Sequence, residues 1–175
     1  MKHLYFIRHG ESTGNLDMIF TGRLDLPLTK LGRQQAKSAA SDAKNLNLDC
    51  IVSSSLVRAL ETAEIIAQDL EYPQNKIIVS QLFQERSYGD FQGKPYRVAE
   101  GIDFDTVRHA ETSSQLVARA KEALEFLNNL DANSILISSH GTFGRALHQQ
   151  LKHTDEQIEV PIEQELPNAQ IIRWI

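Results

Sequence analysis

Leu4-Tyr5-Phe6-Ile7 is a run of four bulky apolar residues with no polar alternation, so a strand over residues 2–7 has two faces to bury. A strand of that kind belongs inside a parallel sheet, where helices cover it on both sides. The rest of the chain offers such partners. Residues 49–53, 76–80, 134–138 and 171–175 read as further strands. Apolar residues at helical spacing lie between them. Leu31, Ala36, Ala39, Ala40, Ala43 and Leu46 follow Thr29 as N-cap, and Ala59, Ala63, Ile66, Ala67 and Leu70 are closed by Pro73. Leu116, Val117, Ala120, Ala123, Leu124 and Leu127 follow Ser113 as N-cap, and Phe143, Leu147 and Leu151 follow a start near Thr142. Strands alternating with helices predict an α/β three-layer sandwich, a mainly parallel sheet with helices on both faces.

Two stretches escape this pattern. Residues 10–27, polar and glycine-containing, read as a long functional loop; residues 83–112, punctuated by Gly89, Gly93, Pro95 and Gly101, read as a mobile lid or cap. At 175 residues the chain suits a single domain over 1–175 built on one core, with no repeats, low-complexity tract or linker. Its 41% hydrophobic and 23% charged residues are the balance of a soluble globular protein. A net charge of −5 without a basic cluster speaks against nucleic acid and anionic membranes as partners, so arginines that bind an anion must be gathered locally. The first strand begins too close to Met1 for an export leader, and a lone Cys50 excludes an internal disulfide; both point to the cytoplasm. A homodimer is compatible with the composition but not selected by it.

The chemistry gathers where strands end. Arg8-His9-Gly10-Glu11 follows the first strand, Ser139-His140-Gly141 follows the 134–138 strand, and Arg58 opens the helix after the 49–53 strand. Ligands of open α/β sheets bind beyond the carboxyl ends of the strands, and arginine forks match phosphoryl oxygens, so these blocks predict one phosphate site. Neutral His9 can attack phosphorus and become a phosphohistidine, while Arg8, Arg58 and His140 surround the equatorial oxygens. Amides from Gly141 onward add a favourable helix dipole. Glu85, ending the third strand segment, is the best-placed acid for the leaving group, with Arg86 opposing protonation if it points inward and Glu11 as the nearest rival acid.

The same residues admit other readings. A metal site on His9, Glu11 and His140 would set a cation beside Arg8 and Arg58, so no metal or other cofactor is expected. Cys50 lies too early, within a strand, for thiolate chemistry in an anion loop. His3, His109, His148 and His153 read as structural, and the cap cations Lys94, Arg97 and Arg108 as solvated.

The ordered blocks resemble the histidine phosphatase superfamily, which includes the cofactor-dependent phosphoglycerate mutases. The resemblance rests on Arg8-His9-Gly10-Glu11-Ser12 with Asn15, Thr21-Gly22, Asp25-Leu26-Pro27-Leu28-Thr29 and Gly32. Ser53-Ser54-Ser55-Leu56-Val57-Arg58-Ala59 with Thr62-Ala63, Glu85-Arg86 with Tyr88-Gly89 and Gly93, and Ser139-His140-Gly141 follow in order. It implies a phosphoglycerate mutase-like fold, His9 as phosphorylated nucleophile, Arg8, Arg58 and His140 as phosphate pocket, and Glu85 as proton donor. Ser12, Asn15, Thr21 and Gly22 are implied as nearby contacts, with Arg86, Tyr88 and Gly141 as further substrate-binding candidates. Only 54 residues separate Glu85 from His140, too few for the insertion that encloses a mutase site, so hydrolysis of a small phosphorylated metabolite is expected. A phosphoglycerate mutase and a non-catalytic phosphate-binding protein are the alternatives. Sugar phosphates, phosphoglycerates, alpha-ribazole phosphate and protein phosphohistidine remain open as substrates.

Overall fold

The computed structural model describes residues 2–152 and 166–175. Strands β1 (His3–Arg8), β2 (Cys50–Ser54), β3 (Ile78–Ser80), β4 (Ser134–Ser139) and β5 (Ile171–Arg173) form a sheet ordered β3-β2-β4-β1-β5. The β3/β2, β2/β4 and β4/β1 pairs are parallel, and β5 runs antiparallel along β1. Helices α1 (Thr13–Leu16), α2 (Lys30–Ala43), α3 (Val57–Asp69), α4 (Ser113–Asn129) and α5 (Gly141–Leu151) complete the α/β architecture.

The pleat of β1 divides its apolar run between two cores. Leu4 and Phe6 pack with Val52, Ile135 and Ile137 against Leu116, Leu127 and Phe143 of α4 and α5. Tyr5 and Ile7 pack with Ile51 and Leu136 against Ala39, Ala40, Ala63 and Ile66 of α2 and α3. A strand apolar at every position therefore has both faces covered. Alanine-rich α2 and α3 form one layer, and the bulkier α4 and α5 form the other. No helix among the described residues is long and apolar enough to cross a membrane.

Boundaries shift where local hydrogen bonding outweighs periodicity. Thr112, not Ser113, caps α4, because its side chain accepts from the Gln115 N–H while Gln115 Oε1 accepts the Thr112 N–H at 2.9 Å. Ser113 instead donates its N–H and hydroxyl to Asp105 Oδ1 at 2.8 and 2.9 Å. Helix α5 begins at Gly141 with an extended His140 as N-cap residue, ahead of the expected Thr142. Residues 74–76 form a 3-10 turn after Pro73, which shortens β3. The 10–27 loop contains α1, capped reciprocally by Ser12 and Asn15. Residues 83–112 hold no α-helix, only 3-10 turns and irregular chain with an isolated bridge from Tyr88 to Ala110.

Topology then selects the site. The β1-to-β2 crossover passes β4 on the α2 side, and the β3-to-β4 crossover returns past β2 on the α4 side. Because the two crossovers run on opposite faces, the carboxyl ends of β1, β4 and β2 flank the topological switch point of the sheet. Register pairs Arg8 with Ser139 and Ser53 with Ser138, so the three motif-bearing ends lie level.

The loop after β1 is pressed against the start of α2. A Cβ on Gly32 would stand 2.1 Å from the Glu11 carbonyl oxygen, and one on Gly10 would stand 2.3 Å from the Gly32 carbonyl oxygen. At an ordinary helix position Gly→Ala gains up to about 1 kcal/mol. Here Gly32→Ala is expected to cost about 1–3 kcal/mol through overpacking. Urea unfolding measures the sign, and a stabilised variant would show that the close approach relaxes freely.

Candidate active site

Arg8, His9, Arg58 and His140 converge at the level strand ends. His9 Nδ1 lies 2.7 Å from the Gly10 carbonyl oxygen, which as an acceptor requires the ring proton on Nδ1. Nε2 therefore carries the lone pair, and Arg58 Nε donates to it at 3.1 Å. The remaining Arg58 nitrogens donate to the Leu24 and Gly22 carbonyls at 2.8 and 2.7 Å, fixing the fork against the first loop. Gly22 adopts φ +48°, which brings its carbonyl into this contact without a side-chain penalty. The His140 ring lies 5.2 Å from that of His9, edge to face, with its Nε2 2.8 Å from Ser54 Oγ. Arg8 Nε and His140 Nδ1 are buried and find no hydrogen-bond partner among the described residues. Unpaired polar groups in a buried cluster are costly unless a ligand completes them.

Glu85 meets this cluster at the start of α5. Its Oε1 accepts from the Arg86 and Phe143 N–H groups at 2.8 and 2.9 Å, and its Oε2 accepts from the Thr142 N–H at 3.1 Å. Tyr88 OH lies 2.8 Å from Thr142 Oγ1, and burial pushes its phenol far up. Gly141 places α5 beside the Arg8 guanidinium, with 3.6 Å from a Cβ there to Arg8 Nε. Arg86 turns away from the cluster, donating to the Glu111 carbonyl at 2.9 Å and to Asp105 at 2.7 Å. Glu11 also lies outside it, accepting from Thr29 Oγ1 at 2.7 Å. Ser12 and Asn15 bind one another in the α1 cap, with Ser12 Oγ 3.0 Å from Asn15 Oδ1, and buried Thr21 donates to the Ile19 carbonyl at 3.4 Å. Cys50 opens β2 at the opposite end of the sheet, where burial pushes its thiol up.

Several residues that hold the site carried no sequence signal. Asn168 donates to the His9 carbonyl at 2.8 Å, Ala169 N–H to the Arg8 carbonyl at 2.8 Å, and Arg8 Nη1 to the Leu166 carbonyl at 2.9 Å. Arg119 binds both Glu111 oxygens at 2.7 Å, donates to the Leu82 and Gln84 carbonyls at 2.8 and 2.7 Å, and stacks 4.4 Å from the Phe143 ring. Arg119 thereby braces the segment that carries Glu85. Thr62, by contrast, stands in the Arg58 block of the sequence, and it links two motifs by accepting the Gly10 N–H at 3.1 Å and donating to the Arg58 carbonyl at 2.8 Å. Phe20 anchors residues 83–112 to the first loop, with ring centroids 5.1, 4.8 and 5.2 Å from Tyr88, Tyr96 and Phe104. Lys94 stacks 4.4 Å over Phe91, while Arg97 and Arg108 are exposed. His3 lies 3.0 Å from Arg173, His109 pairs with Asp90 and His148 stacks on Trp174. His153 lies outside the described residues.

Electrostatics set the protonation of the cluster. Burial first, then Arg58 and Arg8, holds His9 well below the ordinary imidazole range; burial, Arg58 and His9 do the same for His140. Burial also pulls Arg58 down to about 10, against the opposing pull of Glu85 and Asp25. Below pH 6.5 the unfolded chain binds protons that the folded imidazoles refuse, so stability must fall as pH falls. The expected slope is about 1.4 kcal/mol per pH unit for each imidazole, beginning near pH 6.5 and continuing down to the folded values. Urea unfolding from pH 7 to pH 5 in wild type and His140→Asn checks it; the variant should lose part of the slope.

Residues 4–174 match the histidine phosphatase superfamily (branch 1). A phosphatase of Bacillus subtilis (strain 168), PhoE, is 33% identical over 161 residues, covering 91% of this chain and 82% of that one. The 2,3-bisphosphoglycerate-dependent phosphoglycerate mutase 2 of Gloeobacter violaceus is 31% identical over 186 residues, covering 97% of this chain and 85% of that one. The solved structure of Bacillus stearothermophilus YhfR superposes with a TM-score of 0.78 at 29% identity, covering 90% of this chain and 83% of that one. YhfR shares the fold described above, and the chain belongs to the histidine phosphatase superfamily, among relatives that are phosphatases and phosphoglycerate mutases.

Proposed function

We propose that the protein is a metal-independent phosphomonoesterase that hydrolyses a small phosphorylated metabolite through a phosphohistidine on His9. The observation that carries this reading is the state of His9: buried, neutral, its Nδ1–H committed to Gly10, and its Nε2 lone pair turned to Arg58. In the first step the Arg58 Nε–H moves from His9 Nε2 to a phosphoryl oxygen, the freed Nε2 lone pair attacks phosphorus, an N–P bond forms and the ester P–O bond breaks. The departing alkoxide takes a proton from Glu85. In the second step water gives a proton to the Glu85 carboxylate and attacks phosphorus, and the N–P bond breaks to release inorganic phosphate. Oε1 of Glu85 already accepts two N–H groups and Oε2 accepts one, which leaves Oε2 as the oxygen with room for the transferred proton. Arg8 and Arg58 supply the charge that a metal supplies in other phosphatases, and neutral His140 adds a hydrogen-bond donor. Hydrolysis rather than transfer back to substrate is supported by the short cap, pinned at Phe20 and spanning only residues 83–112.

Three measurements test the reading. His9→Ala should abolish turnover of phosphomonoesters, and alkaline quenching of wild type with substrate should leave phosphate on His9. Full turnover by His9→Ala would overturn the proposal. Glu85→Gln should lower kcat/KM for alkyl phosphates by about 10²–10³ but for p-nitrophenyl phosphate, whose leaving group needs no proton, by less than about tenfold. Equal losses for both would move the acid elsewhere. Activity should persist in excess EDTA; loss restored by a divalent cation would favour metal chemistry, and a rearranged phosphoglycerate as product would favour a mutase.

A further inference from the structure

We propose that Ser54 is a positioning residue that fixes the tautomer of His140, so that His140 Nδ1–H is the donor offered to the transferred phosphoryl group. The proposal rests on the phosphoryl-transfer reading above. Ser54 ends β2 and is fully buried, as is His140. Its Oγ accepts the Leu56 N–H at 3.2 Å and lies 2.8 Å from His140 Nε2.

Proton counting decides between the two neutral tautomers. The hydroxyl has one proton, and the neutral ring has one to place on either nitrogen. If the ring proton were on Nε2, Ser54 Oγ would accept from both Leu56 and His140. Its own proton would then lose His140 Nε2 as an acceptor. His140 Nδ1 would also present a lone pair beside Arg8 and Arg58, repelling phosphoryl oxygens. With the ring proton on Nδ1, Ser54 donates to Nε2, Leu56 donates to Ser54, and that end of the ring is satisfied.

Nδ1–H then joins Arg8 Nε as a buried donor without an acceptor among the described residues. Both groups belong to the same strand-end cluster: Arg8 Nε comes within 3.6 Å of a Cβ on Gly141, and the His140 ring lies 5.2 Å from that of His9. Two such donors next to Arg58 suit a single tetrahedral oxyanion. His9 and His140 thus carry their protons on the same nitrogen but play opposite parts. A carbonyl acceptor on His9 turns its lone pair toward phosphorus, whereas a hydroxyl donor on His140 turns its N–H toward the oxygens.

Long-range ¹H–¹⁵N correlation spectra of the imidazoles at neutral pH read the tautomer directly. Wild-type His140 should be neutral and protonated at Nδ1, and adding inorganic phosphate should move that proton downfield. An Nε2-protonated His140 in wild type would overturn the proposal. Ser54→Ala should mix the tautomers and lower kcat/KM about tenfold, the lower end of what loss of an orienting partner costs. Ser54→Thr, which keeps the hydroxyl, should restore the Nδ1–H form and most of the rate. Ser54→Ala that keeps both the tautomer and the rate within twofold would also overturn the proposal. Should Ser54→Ala not fold, the wild-type and Ser54→Thr spectra still decide. Because the spectrum is independent of turnover, a protein with the Nδ1–H form but no monoesterase activity sinks the phosphatase reading and not the tautomer.

Discussion

The alignment of three parallel strand ends is the constraint on which everything else hangs. The β1/β4 and β2/β4 registers set Arg8, Ser139 and Ser53 at one height. A slip of one residue in either pair would flip the strand's side chains to the other face of the sheet. Both faces of these strands are buried, so such a slip would exchange the Leu4/Phe6 and Tyr5/Ile7 cores, whose helices differ in bulk. Packing of apolar side chains well below the site therefore fixes the distance between two imidazoles and two guanidiniums. The chemistry depends on hydrophobic volume.

The cluster shows how a fold holds positive charge together before any substrate arrives. Arg58 is fully buried yet spends three of its donors on two loop carbonyls and on the His9 lone pair. Those contacts lower the cost of burying the guanidinium, and the two carbonyl bonds hold its fork in place. Neutral imidazoles complete the arrangement, because two further full charges in the same volume would repel the arginines.

Much of this was legible in the residues themselves. Continuous apolar strands, helical spacing and strand-end Arg-His blocks carry local information, and they led to the layers and to Arg8, His9, Arg58 and His140. Cap residues were less legible: Thr112 outcompetes Ser113 through Gln115, a three-residue relation that could have been read. Arg86 illustrates a deeper limit, since whether it faced the phosphate site or Asp105 depended on how residues 83–112 fold back, which no local pattern encodes. Arg119, Asn168 and Phe20 were invisible for the same reason. Each acts across more than thirty residues of chain, through a surface that exists only once the layers have formed.

Asn168, Ala169 and the Leu166 carbonyl grip the backbone and side chain of Arg8-His9, although they lie nearly the whole length of the chain away. On a ribosome His9 emerges 159 residues ahead of the Asn168 that holds its carbonyl. The growing polypeptide thus carries an imidazole whose backbone is not yet gripped, and the grip arrives only when residues 166–169 dock.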